Sequence, residues 1–219
     1  MNSLLQQRNI PFLALFLGLV PIIVINLNYM IAAAEEFVPW CVPYWDSCTS
    51  ISATGREGSA FFFFKLTMIP IAFVYLLYWR ASNNWLIAWG HAGKTISTLG
   101  LIASLALLVY TIALGAVGDN FQLTRRIGII LFFTFTYLNQ LLIIYRLFSL
   151  EIPDPAKHMQ LSLSLITLGI GILTLILDAV LFNYDDYEDA FEWILALLLH
   201  INFVIAYFGW KSTTQVASE

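Results

Sequence analysis

Charge is what this sequence has least of. Only 11% of its 219 residues are Asp, Glu, Lys or Arg, where a soluble domain carries roughly 25%. A soluble fold of this length could not hide a chain that is 60% hydrophobic, so much of its surface must meet lipid. Base is scarcer than acid. Ten Lys and Arg against fourteen Asp and Glu leave a net charge of −4, which excludes the basic footprint of a nucleic-acid-binding protein. Cysteine is limited to Cys41 and Cys48, too few for a disulfide-built scaffold. The sequence has no Asn-x-Ser/Thr glycosylation site, no internal repeat and no low-complexity run beyond Phe61–Phe64.

What is present is apolar and long. Six stretches, at about 11–34, 60–80, 95–117, 127–147, 159–182 and 190–210, each approach or exceed the ~20 residues that cross a bilayer as a helix. Irregular backbone cannot face lipid. The expectation is therefore an all-α, single integral membrane domain, a six-transmembrane-helix bundle. A signal peptide is the rival reading of the first stretch, since Ile31–Glu35 resembles a cleavage site. That stretch is far longer than the ~7–15 residues of a signal h-region. Pro70 predicts a kink in the second span, and Pro153 and Pro155 break the chain before the fifth.

Lys and Arg set the expected orientation. Arg8, Arg80, Lys94, Arg146, Lys157 and Lys211 fall on one side, and Arg56, Arg125 and Arg126 on the other. Both termini are thus expected in the cytoplasm. Loops 35–59, 118–126 and 183–189 are expected on the non-cytoplasmic side of a plasma, inner or endomembrane. The long loop 35–59 contains both cysteines. That compartment is oxidising, so a Cys41–Cys48 disulfide closing a small loop is expected; a pair of free thiols is the alternative.

Polar residues inside the spans are costly to bury in lipid and mark candidate sites. Lys65, Asp178 and Glu192 come from three spans but share one layer, in the outer third of the bilayer beneath loop 35–59. Pairing Lys65 with Asp178 or Glu192 is the economical arrangement. The bland reading is a structural ion pair, or Lys65 and Glu192 snorkelling to the interface. The sharper one is a polar pocket that meets a lipid headgroup, with Arg56 available for phosphate. Ser50, Ser52, Thr54 and Asp46 lie above it in the loop. Asn139 and Gln140 are expected to join helices, and Trp79, Trp193 and Trp210 to form interfacial belts. His91, His158 and His200 lie at separate levels, so no zinc site and no Ser-His-Asp triad follows. No cofactor is expected. Polar residues at one level also speak against a pore.

Ser-Ile-Ser-Ala-Thr-Gly (Ser50–Gly55), Phe-Phe-Lys-Leu (Phe63–Leu66), and Glu192-Trp193 ahead of an aromatic stretch ending Phe208-Gly209 together resemble the DRAM-type family. That family comprises the damage-regulated autophagy modulators, their bacterial and fungal relatives and the post-GPI-attachment lipid-remodelling proteins. The resemblance covers most of the chain in layout, through short motifs. It implies six helices, cytoplasmic termini and a part in GPI-anchor remodelling, phospholipid asymmetry or autophagy-linked membranes. The family-like positions are Ser50, Ser52, Thr54, Gly55, Glu192 and Trp193. No mechanism comes with it, and the Cys41–Cys48 pairing rests on topology alone.

The resulting expectation is a lipid-handling or accessory membrane protein. Its pocket candidates are Lys65, Asp178, Glu192, Trp193, Arg56, Asp46, Ser50, Ser52 and Thr54. Its expected partners are membrane lipids, with a second membrane protein as a further candidate. The alternatives are an intramembrane lipid-modifying enzyme, using Asp46, Glu57, Asp178 or Glu192 as acid or base, and a structural subunit with no pocket.

Overall fold

The computed structural model describes residues 2–181 and 184–216. The expected end of the fifth span at Phe182, the start of the acidic turn at Asn183 and the side chain of Arg8 lie outside the described residues. Eight helices follow in order: α1 (Asn2–Ala34), α2 (Pro43–Asp46), α3 (Ile51–Thr54), α4 (Gly58–Ala88), α5 (Thr95–Ala113), α6 (Asp119–Ser149), α7 (Lys157–Val180) and α8 (Asp185–Val216). Six of them are long and apolar enough to cross a membrane. The protein is an all-α integral membrane protein, with no strand among the described residues.

Most of the long helices outrun their apolar stretches, because hydropathy marks the part in lipid and not the hydrogen-bonded rod. α4 continues through the polar segment after Arg80 as far as Ala88. Ser82 returns its hydroxyl to the Tyr78 carbonyl at 2.7 Å, and the helix stops only before Gly90, at φ +94°. α6 starts at Asp119, directly after Gly118 at φ +121°. An acid in the first turn opposes the positive end of the helix dipole. The expected acidic turn is likewise largely the N-terminus of α8.

The six long helices form a closed ring in which α1 packs on α4, α4 on α5, α5 on α6, α6 on α7, α7 on α8, and α8 returns to α1. Aromatic rings fill its interior. Tyr75 meets Phe132 at 5.2 Å and Phe203 at 5.7 Å, and Tyr78 stacks on Trp210 at 5.6 Å. Here one expectation is corrected. Trp79, Trp193 and Trp210 are fully buried in this core and form no interfacial belt. α4 and α8 turn these indoles into the ring, Trp79 well before α4 ends at Ala88, and each buries a large apolar face there.

α7 is the exception to close packing. Its buried residues are Gln160, Ser164 and Thr167, all in the half that begins at Lys157. Asn202 of α8 donates to Ser164 Oγ at 2.9 Å and to the Gln160 carbonyl at 3.3 Å, and Tyr137 of α6 donates to the Ser164 carbonyl at 2.8 Å. Beyond Thr167 no described residue of α7 is buried. The helix is zipped to its neighbours at one end and stands away from them at the other.

Candidate functional site

Loop 35–57 roofs the end of the ring at which α7 stands away. Its shape follows from local bonds. Asp46 accepts the Val42 N–H at 2.7 Å, and Ser50 caps α3 by accepting the Ala53 N–H at 3.1 Å. Cys41 and Cys48 stand at disulfide distance, with Cα atoms 6.6 Å apart. The chain leaves the loop where Glu35 accepts the Ser59 N–H at 2.9 Å. The loop is then fixed to the ring from two sides. Asn28 of α1 donates to Thr54 Oγ1 at 3.1 Å. From α8, Trp193 donates to the Thr49 carbonyl at 2.8 Å while its ring packs on Tyr44 at 5.2 Å. The Glu192 carboxylate lies beside the backbone of Ile51. A roof held at this many points is pre-formed.

Beneath it lies a cavity of about 970 Å³ between α6, α7 and α8. Each wall is one helical stripe with spacings of three and four residues, which lie on one face of a helix. α8 contributes Glu188, Glu192, Leu195 and Leu199, with Asp189 beside them. α7 contributes Thr167, Gly171 and Thr174. α6 contributes Gln122, Arg126, Ile129, Phe133 and Tyr137, with Arg125 beside them. Ser50, Ser52 and Arg56 close the roof, and Tyr110 of α5 lies behind. The charged residues are confined to the roof end. Below them the lining is mainly Leu, Ile and aromatic, down to Leu199. This division suits an amphiphile, because a chain can leave water while a polar head keeps polar partners.

Two features sharpen the polar end. The Tyr110 hydroxyl is buried, the residue being 2% exposed, and has no hydrogen-bond partner. Arg125 is anchored where α5 ends, donating to the carbonyl of Ala113, its last residue, at 3.3 Å and to the Ala116 carbonyl in the turn that follows at 2.7 Å. A second, much smaller void lies deeper in the ring. It shares Glu192, Tyr110, Ile129 and Phe133 with the cavity and reaches His200. His200 Nδ1 donates to the Ala196 carbonyl at 2.6 Å, so Nε2 accepts from the Tyr75 hydroxyl at 3.0 Å.

Of the residues singled out from sequence, Ser50, Ser52, Arg56 and Glu192 line this cavity. The others are elsewhere. Lys65 is on the far side of the ring, where it donates to the Ile112 carbonyl at 3.0 Å and sits 4.2 Å from the Phe61 ring centroid. The economical pairing of Lys65 with Asp178 or Glu192 is therefore replaced by a carbonyl and an aromatic face. Asp178 is exposed on the free end of α7. Asp46, Thr54 and Trp193 build the roof and do not line the space below it. Sharing a depth in the membrane does not mean sharing a helix face, and depth alone placed Lys65 and Asp178 with Glu192. The residues that sequence reasoning missed, Arg125, Arg126, Glu188, Asp189 and Tyr110, sit in or beside the stripes just described. The spacing Gln160, Ser164, Thr167, Gly171, Thr174 was the readable signal on α7. Among the described residues no group of His, Cys, Asp and Glu is placed to hold a metal ion. No family model, no curated protein and no solved structure matches the chain.

Proposed function

We propose that the protein is a lipid-handling membrane protein that takes a membrane lipid into the cavity between α6, α7 and α8. The observation that carries this reading is the cavity's shape: charged at the roof, apolar below, and flanked by the unpacked half of α7. Between α7 and its neighbours an acyl chain can pass sideways from the bilayer. The sidedness expected from Lys and Arg puts that opening in the non-cytoplasmic leaflet. Three positions of the DRAM-type resemblance, Ser50, Ser52 and Glu192, line the cavity, which supports the link to lipid handling.

Filling the cavity tests the reading. Gly171 lines it, and a Cβ there would meet nothing within 4 Å. Gly171→Leu should fold as well as the parent or better, since Gly costs roughly 1 kcal/mol in a helix interior. It should lose co-purifying lipid in native mass spectrometry. Gly169→Leu, also with open space around its Cβ but outside the cavity, is the control and should keep it. Equal lipid on both variants counts against the cavity as the binding place.

A second reading, a lipid-modifying enzyme, has one observation on its side. Glu192 and Tyr110 border both the cavity and the void that leads to His200. The same spectra decide it, because a modified lipid differs in mass from the one supplied.

A further inference from the structure

We propose that the cavity selects a phospholipid whose headgroup joins a phosphodiester to a primary amine, an inference that rests on the lipid-binding reading above. Opposite charges line the cavity from different walls. Arg125 and Arg126 come from α6 and Arg56 from the roof, whereas Glu188, Asp189 and Glu192 all come from α8. α6 and α8 approach each other only briefly. Arg56 is bonded to Ser52 at 2.7 Å and Arg125 to the end of α5. Among the described residues no ion pair joins these arginines to these carboxylates. Arg56 lies near enough to Asp189 and Glu192 to act on them through charge, but among the described residues no contact ion pair ties the two sets together where they face the cavity.

A headgroup that carries both signs completes this arrangement. A guanidinium fork matches two phosphate oxygens. Carboxylates only accept hydrogen bonds, and a primary ammonium offers three donors to them. A quaternary ammonium has no N–H to give. A glycerol headgroup has only neutral hydroxyls, so it leaves the phosphate charge beside three carboxylates with nothing cationic between. The buried and unpartnered Tyr110 hydroxyl supplies one more bond at the level where headgroup gives way to chain, to a phosphate or ester oxygen. The apolar lower walls require that chain, so a soluble amine phosphate meets only part of the site.

The test uses the full chain, purified in detergent, stripped of lipid and offered equal amounts of phosphatidylethanolamine, phosphatidylcholine and phosphatidylglycerol with identical acyl chains. Native mass spectrometry should find the ethanolamine lipid bound about tenfold over either rival, the worth of one lost charge-assisted hydrogen bond. Glu192→Gln keeps the side chain's size and an oxygen beside Ile51 and should erase the preference while binding persists. Glu188→Gln, on an exposed side chain, should reduce the same preference and serves if the first variant does not fold. Arg126→Gln should weaken all three lipids together. Equal binding of the three lipids by the parent overturns the headgroup assignment and leaves the lipid-binding reading intact. No binding of any lipid overturns both. Displacement of bound lipid by soluble O-phosphoethanolamine overturns the requirement for a chain, and with it a lipid as the ligand.

Discussion

Trp193 and Asp154 show how much single side chains do in this ring. Trp193 is fully buried and carries both a ring contact and a hydrogen bond to the loop. Trp193→Phe keeps most of the apolar face and strands the Thr49 carbonyl, a loss of about 1 kcal/mol. Trp193→Ala also opens a cavity and should cost ~3–5 kcal/mol. Thermal unfolding in detergent should rank parent, Phe, Ala in falling order. Asp154 lies in the connection between α6 and α7. Its carboxylate is wedged against Gly209 of α8, where a Cβ would collide with it. One oxygen accepts the Ala156 N–H at 2.7 Å, and the other is buried without a partner. Burial raises its pKa above the ordinary 3.8, against the opposing pull of the Ala156 bond and Lys157. The folded state thus favours the protonated acid. That contribution is complete below pH 3.8 and is lost as pH rises through the raised folded value. His91 has the opposite slope, since burial and Arg146 lower its pKa from 6.5 and its contribution is lost as pH falls. Comparing the parent with Asp154→Asn removes the His91 effect. The Asn variant, a mimic of the neutral acid, should be the more stable at pH 7, and the difference should shrink toward pH 4. A variant less stable than the parent at pH 7 would show that the carboxylate is favoured ionised.

At the scale of the element, the sequence was a good guide to what crosses the membrane and a poor one to where helices end. The six apolar stretches all correspond to helices. Yet α4 runs to Ala88 and α6 starts at Asp119, because a helix does not need lipid once its own hydrogen bonds are made. The loop was legible as a unit: its polar composition, the cysteine pair and the hydroxyl run from Ser50 to Thr54 mark the roof. The space under the roof was only partly so. Glu192, Arg56, Ser50 and Ser52 stand out as isolated polar residues, but Arg125 and Arg126 read as parts of a turn until the helix is seen to start at Asp119. Lys65 was misleading for a plain reason. A lone lysine in an apolar helix draws the eye to other charges, whereas its own needs are met by the Ile112 carbonyl and the Phe61 ring.

At the scale of the whole molecule, the two ends of the ring differ. One is covered by a braced loop and flanked by a loosely held helix; the other is closed by aromatic packing and the α7 zipper. Which end faces the cytoplasm is open to a direct measurement. Val117, 93% exposed at the loop end, and Glu151, exposed at the other, are suitable sites for a single added cysteine. An impermeant maleimide applied to sealed cells should label Val117→Cys and leave Glu151→Cys untouched; the reverse pattern inverts the orientation. The half-zipped α7 has one more consequence. On the lipid-binding reading proposed above, an occupant entering beside it would stay in its leaflet and be drawn from a two-dimensional pool. Occupancy then follows the mole fraction of that lipid among its immediate neighbours, whatever the total amount of membrane. Two membranes of equal area and different composition would fill the same protein to different degrees.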